Sequence, residues 1–237
     1  MAQPVVPLDD AHVPLVEACC DSVQSARASQ AYGAGRIELC GPGDGGTTPS
    51  LGLIARCRDA VQVPVHVMIR PHTHSFVYLD DDVDVMCHDI DAAKALGVDG
   101  IVLGPLNSDH TVQRQQLAAF IALARPMRVG FHRAFDRSPD AHTALELLIA
   151  LGVDLVLTAG HAPSALEGAG TLRDMQQRAG GKITILAGGG IRSGNVGELI
   201  RRTAVTQVHA RATDPMIVRD VILALMRSDE RSLAQSA

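Results

Sequence analysis

Short runs rich in β-branched residues recur along this chain. Each is followed by a stretch with helical periodicity, and the alternation continues almost to the end. Eight runs read as strands: Leu15–Cys19, Arg36–Cys40, Val65–Arg70, Gly100–Gly104, Met127–Arg133, Asp154–Thr158, Ile183–Ala187 and Thr206–Ala210. Spread over 237 residues, they leave roughly 30 residues per unit, the length of one strand plus one helix. Such alternation implies a parallel sheet covered by helices. Eight units of this size predict an α/β fold, a closed (β/α)8 barrel of the TIM type, rather than an open doubly wound sheet.

An internal repeat supports this reading. Ala-Leu-Gly-Val-Asp occurs at Ala95–Asp99 and again at Ala150–Asp154. Gly97 and Gly152 are placed to end helices in the left-handed conformation, with the next strand following at once. Thr48 with Pro49, and Ser138 with Pro139, are expected to open helices. Another helix is expected to begin near Ser193-Gly194-Asn195. No stretch resembles an interdomain linker, so residues 1–237 are expected to form one domain. Residues 1–13 read as an N-terminal extension and 228–237 as a polar, fraying tail.

Composition narrows the function. The chain has 21 Lys and Arg against 26 Asp and Glu, a net charge of −5, and no basic cluster. Aromatic residues make up 3% and Trp is absent. Both features argue against a nucleic-acid partner. No apolar run approaches the ~20 residues needed to cross a bilayer, and the N-terminus lacks the basic and apolar regions of a secretory signal. Five cysteines, an odd number, read as free thiols in a reducing compartment, which points to the cytoplasm.

Side chains in a strand alternate between two faces. In the first two strands Glu17 and Cys19 share one face, as do Arg36, Glu38 and Cys40. In the third, Val65, Val67 and Ile69 take the outer face, so His66, Met68 and Arg70 point inward. The fifth sends Val129 and Phe131 outward and His132 inward. Thr158 and His209 stand near the ends of the sixth and eighth. Buried Glu, His and Arg are costly unless paired. They either form a satisfied polar network or serve a site at the C-terminal face of the barrel, where enzymes of this fold work.

Three chemistries follow. Cys19, Cys40 and Met68 are soft ligands that suit Cu(I). Cys20 lies on the opposite face, and Cys57 and Cys87 on helices, where packing explains them. Glu17, Glu38, Arg70, His132 and Asp136 could serve acid–base chemistry. Gly188, Gly189 and Gly190, with Thr158, His209 and His66, could hold a small anion, because a glycine turn before a helix exposes backbone N–H groups. Gly41–Gly46 reads as a mobile loop over the mouth, and His72 and His74 as exposed side chains.

Six segments resemble the CutC family of copper homeostasis proteins. They are Val16-Glu-Ala-Cys-Cys-Asp-Ser22, Arg36-Ile-Glu-Leu-Cys40, Gly45-Gly-Thr-Thr-Pro-Ser50, Val67-Met-Ile-Arg-Pro71, Phe131-His-Arg-Ala-Phe-Asp136 and Ala187-Gly-Gly-Gly190. The similarity runs in order over residues 14–228. It implies a TIM-type barrel, a cytosolic homo-oligomer, and copper handling with Cu(I) on Cys19 and Cys40. An alternative is a barrel enzyme acting on a small anionic or phosphorylated substrate. The chain departs from the family after the third strand, where it has Arg70-Pro-His-Thr-His-Ser-Phe76, and after the eighth, where the connection to the last helix is short.

Overall fold

A computed structural model describes residues 13–41, 46–212 and 214–236, with side-chain surroundings through residue 227. Eight parallel strands close into a barrel in chain order: β1 (Leu15–Cys20), β2 (Arg36–Leu39), β3 (Val65–Met68), β4 (Gly100–Leu103), β5 (Arg128–Phe131), β6 (Leu155–Thr158), β7 (Thr184–Gly188) and β8 (Gln207–Arg211). The helices between and after them are α1 (Val23–Ala31), α2 (Leu51–Ala60), α3 (Asp80–Ala95), α4 (Arg114–Ala124), α5 (Ala141–Leu151), α6 (Ala169–Ala179), α7 (Val196–Thr203) and α8 (Pro215–Ser236). A 3-10 helix, Arg133–Arg137, follows β5. The N-terminal extension and most of the Gly41–Gly46 loop lie outside the described residues.

The strand faces obey the alternation read from sequence. Ala18, Ile37, Leu39, Val65, Val67, Ile69, Val129, Phe131 and Val208 belong to the apolar layer between barrel and helices. Inside the barrel the two halves differ. The side formed by β1, β2, β3 and β8 holds Glu17, Arg36, Glu38, His66 and His209, whereas Leu155, Leu157 and Leu186 form a separate apolar cluster on β6 and β7.

Helix ends follow capping chemistry. Gly97 and Gly152 do adopt positive φ, 69° and 76°. Two expected starts move by two residues. The N-cap of α2 is Ser50, which accepts the Leu53 N–H, not Thr48. Thr48 instead stitches its loop to the end of β3: its N–H donates to the Arg70 carbonyl, and its hydroxyl accepts the Arg70 N–H. Asp140, not Ser138, caps α5 by accepting the Thr143 N–H at 2.7 Å. Ser138 donates to the Phe135 carbonyl and closes the 3-10 helix. The α7 N-cap is Asn195, within the expected segment. The backbone of α8 runs to Ser236, through the polar segment 228–236.

Candidate functional site

Glu17 is the hub of the barrel interior. Its carboxylate pairs with the Arg36 guanidinium on β2 and with His209 Nδ1 on β8, the latter at 2.8 Å. Arg36 also donates to the Gln207 side chain at 2.9 Å. Barrel closure makes this network, because β8 lies beside β1 with Glu17 opposite His209. Burial works to raise the Glu17 carboxyl, but Arg36 and His209 hold it well below the usual carboxylate range. Removing one partner from so buried a pair costs about 3–5 kcal/mol.

Above Glu17 stand Cys19, Glu38, Cys40 and His209. The sulfurs of Cys19 and Cys40 are 3.8 Å apart. Donor atoms of Cys19, Glu38 and His209 all lie within 4.8 Å of one another, the spacing of a metal-binding group. Hydrogen bonding from Cys40 holds the Cys19 thiol well below its ordinary value, assisted by His209 and opposed by burial. Cys40 moves up, through the same bond and its own burial. Burial raises Glu38 well above the usual carboxylate range despite the pull of His209. Burial alone would lower His209, but Glu38, Cys19 and Glu17 together carry it well above 6.5. The arrangement favours a thiolate beside an imidazolium, with the raised carboxyl of Glu38 next to them. Met68 packs with Cys40, Val102 and Cys19.

A cavity of about 430 Å³ opens over these groups. Its walls include Cys19, Glu38, Cys40, Met68, Arg70, Phe76, His132, Arg133, Gly189, Gly190, Arg192, His209 and Arg211. Gly189 and Gly190 both have positive φ, 108° and 73°. Arg70 lies over the Phe76 ring, 4.5 Å from its centre, and donates to the Thr73 carbonyl. His132 Nδ1 accepts the Ala134 N–H at 3.2 Å, and its Nε2 is buried without a protein partner among the described residues. Burial, with Arg70 nearby, lowers this imidazole to about 3, so it is neutral.

Several candidate residues do not line the cavity. With Leu155 and Leu157 facing inward, Thr158 points the other way, where it donates to Asp136. Asp136 also accepts from Ala159 N–H, His161 N–H and Arg133 Nε, so it braces the 3-10 helix against the end of β6. His66 sits deeper, 1% exposed, in space left by Gly100. Gly188 makes room inside the barrel: a Cβ there would lie 2.4 Å from Leu157 Cδ1. Cys20 is buried outside the site against Ser29, Cys57 is buried on α2, and Cys87 lies on α3. His74 is exposed as expected, whereas His72 is half-buried, stacked on His74 with its Nε2 3.4 Å from Asp82. Arg133, Arg192 and Arg211 also reach the cavity, and sequence reasoning overlooked the last two. Arg211 was within reach, since Gln207, His209 and Arg211 share one strand parity.

The sequence model of the CutC family matches residues 14–214. The chain is 44% identical over 199 residues to a copper homeostasis protein cutC homolog of Mus musculus, covering 84% of this chain and 73% of the relative. It is 41% identical over 199 residues to a CutC family protein of Chromobacterium violaceum, covering 84% and 81%. The crystal structure of the CutC protein from Streptococcus agalactiae matches with a TM-score of 0.79 and 30% identity, over 83% of this chain and 97% of that one. Thiamine phosphate pyrophosphorylase of Pyrococcus furiosus, with a TM-score of 0.63 at 18% identity over 93% and 97%, shares the fold alone.

Proposed function

Because the chain belongs to the CutC family, we propose that it takes up Cu(I) as cargo on the thiolates of Cys19 and Cys40, with His209 Nε2 as a third donor. The observation that carries this reading is the pair of sulfurs 3.8 Å apart at the cavity floor. Cu(I) favours soft thiolate and thioether ligands, and Met68 supplies a thioether at the same place. His209 is prepared for the role. With Nδ1 hydrogen-bonded to Glu17, its Nε2 faces the group formed with Cys19 and Glu38. A carboxylate behind a ligating imidazole fixes its tautomer and increases its basicity. Glu38, a hard oxygen donor kept protonated by burial, is the poorest ligand of the group for this ion.

Binding requires deprotonated ligands. Cys19 is already acidic, but Cys40 and His209 each hold a proton above their ordinary values. Affinity therefore rises with pH across the neutral range. In a Cu(I) competition titration under reducing conditions, the expected result is about one ion per chain. Cys40→Ser should abolish uptake and Cys19→Ser should weaken it, whereas Cys57→Ser and Cys87→Ser should match the unaltered protein. Equal uptake by Cys40→Ser and the unaltered protein would overturn the reading.

A further inference from the structure

A copper ion between Cys19 and Cys40 leaves most of the cavity unexplained. A water molecule takes about 30 Å³ of liquid, whereas this cavity measures about 430 Å³, within the range of small-molecule sites. Its lining is one-sided. Arg70, Arg133, Arg192 and Arg211 line it with one acid, Glu38, among the described residues, and Arg133 is also paired with Asp136. Two buried polar atoms of the lining, His132 Nε2 and Glu38 Oε1, have no protein partner among those residues. Such atoms are costly to bury unless a ligand or water satisfies them.

The protonation of His132 follows from geometry. Nδ1 accepts the Ala134 N–H, so it carries no proton, and the neutral ring must bear its hydrogen on Nε2. His132 thus offers a donor at the cavity wall. Arg133 and Arg192 add cationic donors on the same lining, so the complementary ligand is rich in acceptors and negatively charged.

One wall is more specific. Arg133 Nε is held at 2.9 Å by Asp136, and its guanidinium lies against Gly189, where a Cβ would come within 3.3 Å of Nη1. Arg192 follows two residues after Gly190 on the same loop. Arg133 thus lies against the turn from the end of β5, and Arg192, whose guanidinium donates to the Ile191 carbonyl, lines the same cavity from the loop after β7. Donors arriving from separate strands match the tetrahedral oxygens of a phosphate, whereas a planar carboxylate is satisfied by one bidentate arginine.

We propose that the cavity is a binding site for a small phosphorylated molecule, its phosphate held by Arg133, Arg192 and the Gly189–Gly190 turn, with a hydroxyl or carbonyl accepting from His132 Nε2. The proposal does not depend on the copper reading and is tested on metal-free, reduced protein by ligand-induced shifts of the thermal midpoint. Ribose 5-phosphate should raise the midpoint saturably, inorganic phosphate less strongly, and ribose and succinate at matched ionic strength not at all. Arg192 is exposed, so Arg192→Gln should fold normally and bind both phosphates about tenfold more weakly. His132→Asn retains an acceptor for the Ala134 N–H but lacks the Nε2 donor. It should bind ribose 5-phosphate about tenfold more weakly and inorganic phosphate as before. The site is refuted if neither phosphate shifts the midpoint at millimolar concentration, or if the Arg192→Gln shifts equal those of the unaltered protein. Protection by succinate equal to that by ribose 5-phosphate would refute the phosphate assignment.

Discussion

Cys19 differs from the other four cysteines in its surroundings. The hydrogen bond from Cys40 and the charge of His209 outweigh burial and lower its thiol. Burial raises Cys20 to about 12 and Cys57 to about 11. Cys40 rises chiefly through its bond to Cys19, and Cys87 through burial. The thiolate is the reactive form, so iodoacetamide near neutral pH should alkylate Cys19 first, as peptide mass spectrometry would show. The midpoint of its rate–pH profile should lie below 9 and move upward in His209→Asn, which lacks the cation. Faster labelling of Cys87 at the same pH would contradict this account of Cys19.

At the scale of elements, the two Ala-Leu-Gly-Val-Asp repeats perform one task twice. Asp99 accepts the Val65 N–H at 2.8 Å and pairs with Arg58 at the end of α2. Asp154 accepts the Val129 N–H at 2.8 Å and pairs with Arg125 at 2.7 Å, just after α4. Each aspartate therefore ties the start of one strand to the end of the preceding helix, on the barrel face opposite the cavity. Hydrogen bonds to a charged group are worth about 1.5–3 kcal/mol. Asp154→Ala should lower stability by about 2 kcal/mol in urea unfolding, with Cu(I) uptake unchanged. A loss confined to uptake would mean that this clamp does not carry stability.

Across the whole molecule, buried histidines make stability depend on pH. Burial lowers His66 to about 4, with Glu17 opposing and Arg36 assisting, and burial with Arg70 lowers His132 to about 3. Both take up protons on unfolding below about 6.5, so their contribution is present above that pH and lost in acid. Glu38 acts oppositely above 4.5, because the folded state keeps a proton that the unfolded chain releases. His209 is protonated in both states below 6.5 and adds nothing there. The Cys19 thiolate also takes up a proton on unfolding, and Asp89, raised by burial, acts with Glu38. Each histidine should remove up to about 1.4 kcal/mol of stability per pH unit between pH 6.5 and 4.5. Urea midpoints at several pH values would measure the slope, and His132→Asn should make it shallower. An unchanged slope in His132→Asn would exclude this histidine as a source.

Local sequence determined what has a local cause. Period-two alternation settled that Glu17, Glu38, His66 and His132 face inward, and the helical stretches with their glycine ends settled the order and number of units. The same alternation, followed along Leu155–Thr158, would have turned Thr158 away from the cavity. What the sequence could not show depends on closure. His209 and Glu17 are 192 positions apart and meet because β8 completes the barrel beside β1. The stagger of the strands then decides depth, leaving His66 below the site while Arg133, Arg192 and Arg211 reach the cavity from three different strand ends. Parity is a property of one strand, whereas neighbours and depth belong to the sheet once it has closed.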